Sequence, residues 1–341
     1  MTTGAAPIFI VGTQRSGSTL LRLILNAHPE IAIPEEARFL TPLLNKNNIK
    51  KPIEGQALSR LVNYLRANEQ FRLWNFDAAP FLNELAVKSS VMLAEVINAM
   101  FSSFAQSEGK SLWGDKSLFF GSVQLLHELF PGARFIHIVR DGRDVFDSWR
   151  KMDASKNHPT AMALDWHYKL RSIERALAKL PSDRALTLRY EDLVASPDTV
   201  VRSICRFLGI AFEPAMLEFH KTSGKYIGEH HSRLIFGAID PSNTAKWRKH
   251  LSSDDVRLYE LMAANHLRHY GYELSGTSTS MRQILLAVGD LLVGLPQRAW
   301  QIGRARLAYR RALVRGEATK TISVGAMPKN SGPERPSDGP K

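Results

Sequence analysis

The chain has 341 residues, 44% of them hydrophobic and 23% charged, which is enough apolar material for a packed core and excludes wholesale disorder. Its net charge of +12 is uneven, because residues 276–341 hold 11 Lys/Arg against 4 Asp/Glu while the first 275 hold 34 against 29. A mildly basic body followed by a strongly basic tail suits an anionic ligand or surface better than nucleic acid.

In chain order, Ile8–Gly12 (IFIVG) is a short β-rich run ending in glycine. It has no basic flank and is too short for a signal-peptide core, so the expected location is the cytoplasm. Leu20, Leu23, Ile24 and Ala27 then recur at helical spacing, giving strand, Gly/Ser-rich loop and helix. Leu93, Ile97, Met100 and Phe104 mark a further helix, and Phe135–Val139 (FIHIV) a second buried strand with a helix beginning near Asp144. A long amphipathic helix runs through Ala163, Trp166, Leu170, Ile173, Leu177 and Leu180, and Ala185–Leu188 is a third strand. The single cysteine, Cys205, shares a helix face with Val201, Ile204 and Leu208. It is a buried thiol, and a disulfide scaffold or Cys-rich zinc site is excluded. Strands alternating with helices predict an α/β fold, a three-layer α/β/α body with a central parallel sheet over residues 1–275.

Gly276–Ser280 is a Gly/Ser/Thr linker. Beyond it, residues 276–316 are predicted to form a basic amphipathic helical tail interrupted at Pro296, and residues 317–341 a disordered end. The longest apolar stretch, Ile284–Leu295, has twelve residues including Asp290, short of the roughly 20 that a spanning helix needs. A basic amphipathic helix can lie on an anionic membrane, pack on the body or pack on a second subunit. Peripheral membrane attachment and a homodimer are therefore both open.

The motif richest in chemistry is Gly12-Thr13-Gln14-Arg15-Ser16-Gly17-Ser18-Thr19. Small residues between a strand and a helix let backbone N–H groups converge on an anion at the positive helix end. Arg15 adds a full charge, and Ser18 and Thr19 add hydroxyls. The spacing is P-loop-like, yet Ser18 stands where a nucleoside-triphosphate hydrolase needs its lysine.

Thr13–Leu21 (TQRSGSTLL) resembles the 5′-phosphosulfate loop of sulfotransferases that use 3′-phosphoadenosine 5′-phosphosulfate (PAPS), and Ile136–Trp149 (IHIVRDGRDVFDSW) their 3′-phosphate signature. Trp113–Phe120, Leu188–Leu193 and Lys246-Trp247 add weaker support, so the resemblance spans about residues 7–272. It implies sulfuryl transfer from PAPS to an acceptor hydroxyl on a carbohydrate, a lipid-linked glycan or a tyrosyl group, without a metal. It also implies that Arg15, Ser16, Gly17, Ser18 and Thr19 hold the 5′ end of the nucleotide, that Arg140 and Ser148 hold the 3′-phosphate, and that Lys246 closes over the nucleotide.

Within the family, Asn26–Arg38 (NAHPEIAIPEEAR) is similar to the tyrosylprotein sulfotransferase branch, in which a glutamate 21 residues after the loop arginine is the general base. Counting from Arg15 gives Glu36, with Glu35 as the adjacent competitor, and places Arg38 at a substrate-contacting position. Lys116 is expected to approach the sulfuryl or leaving oxygen beside Arg15; the competing reading makes it a surface lysine capping the next helix. Arg143 is expected to pair with a carboxylate, and His28 and Tyr190 to hold the fold together. Phe71, Trp74, Phe76, Tyr226 and Phe236 are expected around the acceptor. The rival functions are a P-loop nucleotide or sugar kinase and a non-catalytic nucleotide-binding membrane adaptor.

Overall fold

The computed structural model describes residues 6–117, 121–222, 237–276 and 280–316. Tyr226 and Phe236 fall outside them. Five parallel strands make the central sheet: β1 (Ile8–Gly12), β2 (Ile31–Ala32), β3 (Leu112–Asp115), β4 (Arg134–Val139) and β5 (Ala185–Arg189). Their order is β2-β3-β1-β4-β5, and every pairing is parallel. The chain leaves central β1 toward β2 and β3, then returns to add β4 and β5 on its other side. Such a reversal opens a crevice at the carboxyl ends of the central strands, where open α/β sheets bind ligands.

Alternation along β1 divides the core. Ile8 and Ile10 pack with Ile136, Ile138 and helices α1 (Ser18–Asn26) and α6 (Pro197–Leu208). Phe9 and Val11 face the opposite layer, with α2 (Gly55–Ala67) and α3 (Leu93–Ser107). Phe71 and Trp74 are buried there among Phe39, Phe101 and Phe104, so they are core and not acceptor-pocket walls; Phe76 packs at the edge of the same cluster. Burial of this ring cluster removes more apolar area from water than a pocket wall would, at about 25 cal/mol per Å². Cys205 is buried against Met216, its sulfur 3.6 Å from the thioether.

A third cluster joins α4 (Gly142–Met152), α5 (Pro159–Leu177) and α7 (Ser253–His269) around Trp166, Phe146 and Tyr259. Helix α8 runs without a break from Met281 to Arg315, through Pro296, contrary to the expected interruption. Pro296 is exposed, so water can take the carbonyl it leaves unbonded and the helix continues past it. Ser280 and Gln283 form a capping box at its start, and Gly316 in the left-handed conformation ends it.

The inner face of α8 packs along α5, with further contacts to α2 and α7. Asp290 accepts from His158 Nδ1 at 2.7 Å and from the Thr160 backbone N–H at 2.9 Å. At Gly294 the two helices come so close that a Cβ would lie 2.6 Å from the Ala161 Cβ. Gly294→Val should therefore pry α8 from α5 and lower stability by about 1–3 kcal/mol, read as a reduced denaturant midpoint; an unchanged midpoint would show that the contact gives way freely.

Candidate active site

The loop between β1 and α1 turns tightly. Gly17 occupies the helix N-cap at φ 92°, and a Cβ there would sit 2.2 Å from the Tyr190 ring. Only glycine fits. Arg15 adopts φ 69°, which a non-glycine residue holds only when its surroundings over-determine it. The surroundings here are hydrogen bonds: Arg15 Nε donates to Ser148 Oγ at 2.8 Å on α4, and its carbonyl accepts from Arg140 Nη1 at 3.4 Å. Two loops about 125 residues apart in sequence thus meet in one cleft of about 310 Å³, within the range of small-molecule sites.

The expected nucleotide residues Arg15, Gly17, Ser18, Thr19, Arg140, Ser148 and Lys246 all line this cleft. Ser16 lies beneath it, fully buried. Ser148 is held by an arginine and is not a solvated helix residue. Arg140 does contact Asp144, at 3.6 Å, yet it also donates to the Asn243 carbonyl at 2.9 Å and lies 4.4 Å from the centre of the Tyr190 ring. Burial, then the charge of Arg140, holds the Arg15 guanidinium below its usual pKa range, with Glu36 opposing. Like charges held this close create a strong positive potential for an anion. Among the described residues, Arg140 Nε is a buried side-chain atom with no hydrogen-bond partner, an unused donor on a residue that lines the cleft.

The residues expected to act as base and as charge-neutralising groups form a second group beside the first turn of α1. Lys116 is 2% exposed, which removes the surface-cap reading. Its Nζ donates to Glu36 Oε1 at 2.6 Å and to Thr19 Oγ1 at 3.3 Å. Arg38 Nε holds the other Glu36 oxygen at 2.5 Å. Glu35 turns the other way and pairs with Arg22 Nη1 at 3.0 Å, so geometry separates the two adjacent carboxylates.

Behind Lys116, Asp115 accepts from the Ser117 backbone N–H and hydroxyl at 3.0 and 2.5 Å, while Ser117 Oγ accepts from the Ala37 N–H at 2.5 Å. The end of β3 therefore fixes the segment that carries Glu36. Burial raises the Asp115 carboxyl to about 6.

Arg143 is buried in a pair with Asp141 at 2.7 Å and Glu260 at 2.6 Å, over the Trp247 ring. That is the expected carboxylate pairing. Asp141 caps α4, and Asp144 accepts from the Trp247 N–H at 2.9 Å, fixing the short helix that follows Lys246. His28 bridges to the Ala211 carbonyl at 3.1 Å, a structural contact. Tyr190 is more than structural. It lines the cleft, packs on Gly17 and Arg140, and accepts from Asn243 Nδ2 at 2.7 Å. Sequence reasoning also passed over Asn243, Lys151 and Ile239, which line the cleft as well. It missed Lys169, which donates to Gln14 Oε1 at 2.9 Å and to Asp165 at 2.5 Å.

Residues 7–214 match the family model described as "Sulfotransferase family". This chain belongs to the sulfotransferase family. It is 26% identical over 282 residues to protein-tyrosine sulfotransferase A of Caenorhabditis elegans, covering 78% of this chain and 67% of that one. Protein-tyrosine sulfotransferase 1 of Danio rerio is 30% identical over 280 residues, covering 78% and 72%. The match to the Drosophila melanogaster protein-tyrosine sulfotransferase covers 73% of this chain and 48% of that one. Among solved structures, the sulfotransferase domain of the Synechococcus PCC 7002 olefin synthase superposes with a TM-score of 0.57 at 24% identity, covering 80% of this chain and 97% of that domain. PAPS is the family's co-substrate, and the cleft's cations, the unpartnered Arg140 Nε and the glycine floor fit it.

Two opposing effects set the Glu36 carboxyl. Burial raises its pKa, but Arg38 and Lys116 together bring it from 4.5 down to about 2. A value below the unfolded one means the carboxylate contributes stability above about pH 4.5, lost as pH falls toward 2. Removing one cation leaves burial less opposed. Lys116→Met should raise the Glu36 titration midpoint by about one unit or more, followed by carboxyl carbon NMR. An unmoved midpoint would show that the pair is uncoupled.

Proposed function

We propose that this sulfotransferase uses Glu36 as general base, Arg15 and Lys116 to neutralise the leaving oxygen, Arg140 and Ser148 to hold the 3′-phosphate, and Lys246 to close over the nucleotide. The observation that carries the proposal is the Lys116 contact with both Glu36 and Thr19, which joins the base to the phosphate loop through a single ammonium. PAPS, when bound, supplies an SO₃ group on its 5′-phosphate oxygen and leaves as 3′,5′-ADP. Glu36 takes the proton of the acceptor hydroxyl as that oxygen bonds to sulfur. Lys116 and Arg15 meet the electron pair that stays with the departing phosphate oxygen.

Glu36 is ionised at neutral pH, as a base must be, but two cations make it a weak one at rest. As the Lys116 ammonium is drawn toward the leaving oxygen, its hold on Glu36 weakens and the carboxylate becomes more basic during transfer. Arg38, still on the other Glu36 oxygen, orients the base and faces the acceptor side. Preorganised charge of this kind needs no reorganisation at the moment of reaction.

The acceptor is a hydroxyl. Of a carbohydrate, a lipid-linked glycan and a tyrosyl side chain, the tyrosyl group has support from the names of the relatives in worm and fish.

Calorimetry tests the donor site. 3′,5′-ADP should bind more tightly than ADP, and Arg140→Ala should cost about tenfold or more in affinity for 3′,5′-ADP while barely moving that for ADP, because a charged hydrogen bond contributes about 1.5–3 kcal/mol. Equal loss for both nucleotides would place Arg140 elsewhere. With radiolabelled PAPS and a panel of tyrosyl peptides, sugars and glycolipids, Glu36→Gln should lower kcat about 10²–10⁴-fold without weakening 3′,5′-ADP binding. Wild-type-like turnover in that variant would sink the base assignment, and no turnover by the wild type on any acceptor would favour the adaptor.

A further inference from the structure

Helix α8 has two unlike faces. Gln283, Ala287, Gly294, Ala305, Tyr309 and Ala312 are buried against the body. The opposite face is split along its length. From Met281 to Trp300, about 30 Å of helix at 1.5 Å per residue, large apolar side chains point outward: Leu285, Val288, Leu292, Val293 and Trp300 are 68, 50, 71, 59 and 62% exposed. From residue 304 arginines dominate the same face, with Arg304, Arg306, Arg310 and Arg311 exposed beside the exposed Leu307 and Val314. Arg304 lies over the Trp300 ring at 4.8 Å, at the junction of the two halves. The helix carries a single acid, Asp290, and that carboxylate is turned inward onto His158 and Thr160.

We infer that the outward face of α8 docks this protein on an anionic lipid surface, with the apolar half entering the acyl boundary and the arginines meeting headgroup phosphates. Contiguous exposed apolar surface on a soluble domain marks an interaction site. Aliphatic residues with a tryptophan, next to arginines and with no outward carboxylate, have the chemistry of an interfacial helix. No described helix is long and apolar enough to cross a membrane, so the helix lies on the surface.

Charge decides against a second copy as the occupant. A two-fold antiparallel pairing of this face would lay each arginine-rich half on an apolar half. Among the described residues of that face no carboxylate is available to meet the guanidinium groups, so their desolvation would go uncompensated.

The inner face gives the docking a bearing on the site. Arg298 reaches Asp165 at 3.4 Å, and Asp165 accepts from the same Lys169 that holds Gln14 in the phosphate loop. The docked helix is thus tied through four side chains, Arg298, Asp165, Lys169 and Gln14, to the phosphate loop.

The test is vesicle co-sedimentation of the full chain on phosphatidylcholine alone and on phosphatidylcholine with about a third phosphatidylserine, compared with Val288→Asp/Leu292→Asp and with Arg306→Gln/Arg310→Gln/Arg311→Gln. The wild type should partition to the anionic vesicles, and less so as salt rises. Each arginine removed should cost about fivefold in partition coefficient, and the aspartates should abolish binding. Each variant should keep wild-type affinity for 3′,5′-ADP, which confirms that it folds. Wild type that stays in the supernatant with anionic vesicles would overturn the inference. So would binding that the aspartates leave intact. A concentration-dependent dimer that the aspartates dissolve, without vesicle binding, would overturn it in favour of a second copy.

Discussion

Two arginines from distant parts of the chain, Arg15 and Arg140, enter the same cleft close enough for the charge of one to lower the pKa of the other, and most of the surrounding structure serves to keep them there. Repulsion between like charges favours any conformation that separates them. What opposes it is local: Ser148 anchors Arg15, while Asp144, Asn243 and the Tyr190 ring hold Arg140. These partners come from α4, β5's end and the segment before Lys246, so the crevice at the strand reversal is where they can meet. An arriving dianion relieves the repulsion, and its binding therefore stabilises the fold as well as occupying the site.

The second group works on the opposite principle. Lys116 and Arg38 satisfy Glu36 almost completely, leaving a carboxylate that stays charged at neutral pH. Attraction sets the resting state here, whereas repulsion sets it in the nucleotide cleft. Thr19 links the two groups, so filling one is felt in the other.

How much of this could be read in the sequence followed from where information is concentrated. The loop Gly12–Thr19 and the strand end at Arg140 stood out because small or charged residues directly follow buried runs. Glu36 needed a count from Arg15 supplied by resemblance; nothing in NAHPEIAIPEEAR itself says that Glu35 will turn to Arg22 and Glu36 to Lys116. β2 and β3 were missed because two and four residues are too few to show periodicity. In the sequence Tyr190 reads as fold-holding, since an aromatic after a strand is usually core. Its second role depends on Gly17 lying against it. Phe71 and Trp74 suggest an acceptor pocket in the sequence because aromatic clusters serve pockets and cores alike, and only packing tells them apart. Pro296 signals a break in the sequence because its exposure, which lets the helix pass through, is a tertiary fact.

The backbone at Arg15 has a further consequence. A side chain at φ 69° is strained in a way that glycine or asparagine would relieve, so a search for hardier variants would be drawn first to this position. Each such replacement would gain robustness by discarding the guanidinium around which the cleft is arranged. The loop is therefore a place where thermal selection and turnover selection pull in opposite directions. A library scored on melting alone would enrich well-folded proteins that had lost the arginine proposed for the donor site.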